Sequence, residues 1–204
     1  MAKLGDIQAS GWNYENDELR VLNPATSANS KVLVWLTAEE AIGGGVGDKA
    51  GWYDATEFTF ESGLDFDLGT GFLTSLYSSG VSFTYSGAVY DQAFTVPCTG
   101  KKYVAIPNAV PRQITLAEIT ATGWNYENDE LRKLKKQDSS NEKVYVWLTA
   151  EEAIGGGVGD KAGWYDATEF TYEGATTVAP GEGFLTSLYS SSVQLNFPSA
   201  TAAE

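Results

Sequence analysis

Histidine is absent from the 204 residues, and cysteine occurs once, as Cys98. Without an imidazole there is no Ser-His-Asp triad and no Cys-His nucleophile pair, and one thiol builds neither a cysteine zinc site nor an intrachain disulfide. Basic residues are also scarce: thirteen Lys and Arg stand against twenty-seven Asp and Glu, a formal net charge of −14 at pH 7. The acidic excess runs along the whole chain, so the basic face that phosphates need is lacking and nucleic acid is excluded as a partner. Apolar runs stay far below the roughly 20 residues of a membrane span. Met1 to Asp6 lacks the apolar stretch of a secretory signal. Two settings follow: the cell surface or outside if a signal was removed, otherwise a viral or intracellular shell.

What the chain does have is glycine and aromatics: 22 Gly, eleven Tyr, nine Phe and six Trp. That mixture belongs to a turn-rich β protein. It also has a repeat. Gly11-Trp12-Asn13-Tyr14-Glu15-Asn16-Asp17-Glu18-Leu19-Arg20 recurs at Gly123 to Arg132, 112 residues on. Val34 to Thr59 returns unchanged as Val146 to Thr171, and Phe72 to Ser79 as Phe184 to Ser191. The expectation is an all-β protein of two tandem, near-identical β-sandwich or small-barrel units, residues 1–88 and 89–204.

Within a unit the apolar period is mostly two. Val32 to Leu36, Glu57 to Phe60, Val81 to Tyr85 and Val193 to Phe197 read as strands. Thr37, with Glu40 three residues later and Gly43 to Gly45 beyond, predicts one short capped helical turn per unit. The copies diverge at Val21 to Thr26 against Lys133 to Asp138, and at Ser62 to Thr70 against Gly174 to Glu182, which read as surface loops. The stretch from Tyr90 to Asn108, leading into Ile114 to Ile119, has no counterpart in the first unit and predicts two additional strands. Unless Tyr90 to Asn108 serves the first unit or a neighbouring subunit, the first unit's sheet presents an unfilled edge, a template for strand addition. Cys98, between Pro97 and Thr99, reads as a small buried residue in preference to an exposed thiol.

Few residues carry chemistry. Gly45 to Ala50 fits G-x-G-x-x-A by letter, but it follows a helical turn and leads into a strand, the wrong context for a dinucleotide loop. The acidic pairs Asp17/Glu18 and Glu39/Glu40, with their copies, follow from composition, so no catalytic residue is assigned and the chain is not read as an enzyme. Asn16, Asp17 and Glu18, repeated as Asn128, Asp129 and Glu130, concentrate oxygen ligands of the kind Ca²⁺ uses, although without EF-hand spacing. Trp12, Tyr14, Trp52 and Tyr53, with Trp124, Tyr126, Trp164 and Tyr165, could form an aromatic platform for sugar rings. A carbohydrate-binding module is therefore the alternative reading.

The primary reading is a structural, self-assembling protein, a subunit of a filament, surface layer or shell that polymerises through β-edge or head-to-tail contacts and whose main partner is itself. Its expected contacts lie on Ala2, Leu4 and Ile7, on Phe94, Val96, Tyr103 and Ile106, and on Val193, Leu195 and Phe197.

Overall fold

The computed structural model describes residues 2–23, 25–26, 28–66, 71–85, 91–98, 100, 102–135 and 140–201. The protein is all-β with short helices. It divides into two compact units, Met1–Asn23 with Ala28–Ala88, and Pro24–Ser27 with Val89–Glu204.

The first unit contains β1 (Ala2–Lys3), β2 (Ile7–Ser10), β3 (Glu18–Leu22), β4 (Asn29–Leu36), helix α1 (Ala38–Gly43), β5 (Gly51–Asp54), β6 (Asp65–Phe66), β7 (Leu73–Ser75) and β8 (Ser82–Tyr85). Its described strands form a four-stranded antiparallel sheet in the order β5-β4-β3-β7, with the pairs β2-β8 and β1-β6 beside it. The second unit contains β9 (Phe94–Pro97), β10 (Ala105–Pro107), β11 (Ile114–Thr115), β12 (Thr120–Thr122), β13 (Glu130–Leu134), β14 (Asn141–Leu148), α2 (Ala150–Gly155), β15 (Gly163–Asp166), β16 (Thr177–Val178), β17 (Gly183–Ser187) and β18 (Gln194–Phe197). Its sheets run β10-β17-β13-β14-β15, β12-β18-β9 and β11-β16.

Local chemistry accounts for the shared elements. Thr37 Oγ1 accepts the Glu40 N–H at 3.3 Å while the Glu40 carboxylate accepts the Thr37 N–H at 2.7 Å, closing the box that starts α1. Gly44 follows at the C-cap, and the buried Ala41 packs with Val34, Leu36 and Tyr53. In β5, Trp52 is wholly buried and its indole N–H donates to the Ile7 carbonyl at 2.8 Å. Trp12 and Trp35 meet it edge-on with ring centres 5.2 and 5.4 Å away. Trp164 does the same in the second unit, donating to Ile119 at 2.8 Å. These two tryptophans join the sheets of each unit because an apolar ring and one satisfied donor fit a dry interior.

Several expectations need correcting. Glu57 to Phe60 is a turn closed by Asp54, whose carboxylate accepts the Thr56 and Glu57 N–H groups. Only Phe60 bridges to Tyr53, and Phe58 takes φ 51°. The Asp54 side chain offers these amides a local partner that a ladder would have supplied, and it ends the strand. Val21 and Leu22, with Lys133 and Leu134, belong to strands, and the stretch expected as a loop after Ser62 contains β6, matched by β16. Pro24, residues 67–70 and residues 136–138 lie outside the described residues. Each unit also has a 3-10 turn that the sequence pattern did not suggest, Leu4–Asp6 and Leu116–Glu118, each burying its leucine.

Both additional strands belong to the second unit. β9 pairs with β18 in the register Phe94↔Phe197, Val96↔Leu195, and β10 pairs with β17 in the register Ala105↔Leu185, Pro107↔Gly183. Phe94, Val96, Cys98, Ile106 and Val110 supply five of the eighteen buried residues described in that unit's main core.

Candidate functional site

The acidic run is a structural anchor. Asp17 is buried, and one carboxylate oxygen accepts the Asn13 N–H at 2.9 Å while the other accepts those of Tyr77 and Ser78 at 2.7 and 2.9 Å. Burial pushes its pKa up, but the hydrogen bonds from Asn13, Ser78 and Tyr77 together outweigh it and hold the carboxyl below its ordinary value. Asp129 makes the same bonds to Asn125, Tyr189 and Ser190. Glu18 and Glu130 pair with Arg20 at 2.6 Å and Arg132 at 2.5 Å. Among the described residues no cluster of three or more acidic or cysteine side chains is placed to hold a metal. Of the expected calcium ligands Asn16, Asp17, Glu18, Asn128, Asp129 and Glu130, the structure places the two aspartates on backbone donors and the two glutamates beside arginines, and leaves Asn16 and Asn128 exposed.

The expected sugar platform is corrected as well. Trp52, Tyr53, Trp164 and Tyr165 are core residues, and the two tyrosine hydroxyls donate to Lys49 and Lys161 carbonyls at 2.8 Å. Trp12, Trp124 and Tyr126 are half-buried and only Tyr14 is exposed, so the eight rings offer no continuous face.

Most of the expected contact residues are internal. Leu4, Phe94, Val96, Ile106, Val193, Leu195 and Phe197 are buried, Ile7 packs on the first core, and Ala2 is paired with Phe66 in β1 and β6. Tyr103 is half-buried, with Lys102 Nζ 5.5 Å from its ring centre. Tyr90 lies outside the described residues. Apolar alternation marked these strands correctly but could not distinguish a strand waiting for a partner from one already paired.

Among the described residues, the edge without a partner strand lies elsewhere in the first unit, on β7 and β8. In the second unit Thr186 N–H donates to the Val104 carbonyl at 3.0 Å, Thr186 Oγ1 accepts the Val104 N–H at 2.9 Å, and Leu188 N–H donates to Lys102 at 2.9 Å. Cys98 N–H donates to Val193 at 2.9 Å. The first unit carries the same acceptor letters, Phe72-Leu73-Thr74-Ser75-Leu76, yet no described strand lies beside β7 or β8 on that side. Exposure records the difference. Leu188 is 3 % exposed and its equivalent Leu76 is 42 %; Leu195 is 1 % exposed and its equivalent Phe83 is 39 %. Thr186 is buried, whereas Thr74 is exposed. Phe83 rests against Trp12 and Trp52, ring centres 5.8 and 6.4 Å apart, leaving its other face outward. Phe72, Thr74, Leu76 and Phe83 thus make up the candidate site. The signal for them was present in the sequence as a repeated octapeptide whose second copy alone is preceded by Tyr90 to Asn108.

No protein-family model, curated protein or solved structure matches the chain.

Proposed function

We propose that this chain is a structural, non-enzymatic repeat protein that assembles by strand addition at the edge of its first unit. The observation that carries the reading is the exposure of Leu76 and Phe83, two residues whose equivalents in the second unit are covered by the chain's own strands. A strand edge with unpaired peptide groups beside apolar side chains favours another extended chain over water. The charge of −14 supports the same reading, since it opposes nonspecific association and leaves ordered contacts to specific edges.

Sedimentation and negative-stain electron microscopy of the full chain test the reading. Regular oligomers or filaments are expected, and Thr74→Lys with Leu76→Lys should disperse them, because both side chains are exposed and lysine on an edge strand blocks pairing. Monomers at every concentration, or assemblies indifferent to the two lysines, would overturn it.

A further inference from the structure

We infer that the edge formed by β7 and β8 is a receptor for an extended segment of the chemistry of residues 91–110, donated by another polypeptide. The inference rests on the assembly reading for the location of the contact and adds the kind of partner that fits it. The second unit is the template. There one segment runs past two strands in succession. It places Phe94, Val96 and Cys98 into the core from β9, and after a short connection adds Ala105-Ile106-Pro107 along β17. Phe94 stacks on Phe197 with ring centres 4.9 Å apart and planes at 2°.

Three features of the first unit match that segment. First, the register carries over. Cys98 bonds to Val193, and bonded pairs alternate along an antiparallel ladder, so the backbone groups of Val81 and Phe83 are those turned toward the open side of β8. Second, close approach is provided for. Gly183 opens β17, and a Cβ there would come within 2.5 Å of the Ile106 carbonyl oxygen and 2.8 Å of Pro107 Cα; the first unit has Gly71 at the same place. Third, charge is complementary. Residues 1–88 hold twelve Asp and Glu against four Lys and Arg, a net −8, whereas residues 91–110 hold two lysines and one aspartate. Lys102 Nζ lies 4.1 Å from the ring centre of Tyr189, and the equivalent Tyr77 is 79 % exposed.

The donor is a partner with this pattern, apolar residues at alternate positions followed by a second short strand with proline. A second copy giving up its own segment would vacate an equivalent site in its second unit, so a copy that joins this edge in the assembly does so with another strand and competes with the donor for it.

The test is a fluorescein-labelled peptide of residues 91–110 carrying Cys98→Ala, titrated into the full chain and followed by anisotropy. Saturable binding of one peptide per chain is expected, weakened at least tenfold by Leu76→Lys and by Gly71→Val, and unchanged by a scrambled peptide added in excess. Hydrogen exchange should show new protection at the amides of Thr74, Leu76 and Phe83. No binding to the folded chain, or binding that both variants leave intact, overturns the inference. The two readings separate cleanly. Monomers that bind the peptide overturn assembly and support the receptor edge; assemblies that the peptide neither joins nor disperses overturn the receptor edge and leave assembly standing.

Discussion

The repeat places the same residue in two environments, so single side chains serve as their own controls. Leu188 is buried in the second unit's core, and Leu76 is exposed. Leu188→Ala should cost about 2–5 kcal/mol, the usual range for emptying a leucine site. Leu76→Ala should change stability by less than about 0.5 kcal/mol. Denaturant titration of the two variants decides it, and equal effects would mean the edge is already covered. Asp17 makes a second residue-scale prediction. Its carboxyl is held below the ordinary value of 3.8, so the folded state binds that proton more weakly than the unfolded state. Its contribution is present above the unfolded pKa and is lost as pH falls through the folded one. Asp17→Asn should destabilise the first unit by roughly 1–3 kcal/mol at pH 7 and flatten the acid limb of its stability curve, read by tryptophan fluorescence.

At the scale of elements, α1 and α2 are six residues each and depend on their caps. Thr37→Ala removes the hydroxyl that accepts the Glu40 N–H and should cost about 1 kcal/mol. Thr149→Ala should cost the same in the second unit, because the cap geometry is shared. The strands are where the units part. β18 lies between β12 and β9, whereas β8 pairs with β2 alone among the described strands. In the chain dispersed by Thr74→Lys with Leu76→Lys, hydrogen exchange should therefore find the Leu195 amide strongly protected and the Phe83 amide exchanging rapidly, since an amide on an open edge exchanges without local unfolding. Comparable protection at both would show β8 to be paired.

For the whole molecule the consequence is unequal stability. Among the described residues the second core gathers eighteen buried residues into one cluster, and the corresponding cluster of the first unit holds four. Burial of apolar surface scales with such cores, so thermal unfolding should proceed in two steps, with the first unit melting at the lower temperature. Leu188→Ala should move the upper transition and Asp17→Asn the lower. Assembly should also respond to ionic strength. Copies carrying −14 repel one another, and raising salt from 20 mM to 500 mM should speed assembly by screening that repulsion, as followed by light scattering.

Local patterns determined a good part of this protein. The tandem letters, the β-rich composition, the alternation in Val193 to Phe197 and the Thr37–Glu40 box were all legible, because propensity, period and capping act over a few residues. The additional strands before the second motif were legible for the same reason. Tertiary structure alone decided the rest. Asp17 looked like a calcium ligand because its partners Tyr77 and Ser78 stand sixty residues downstream. Trp52 looked available to a sugar because the Ile7 carbonyl that accepts its N–H is forty-five residues away. Most decisively, Phe72 to Ser79 and Phe184 to Ser191 are the same letters and offer the same edge twice. Only long-range pairing assigned β9 and β10 to the second copy, and in doing so left Leu76 and Phe83 of the first exposed.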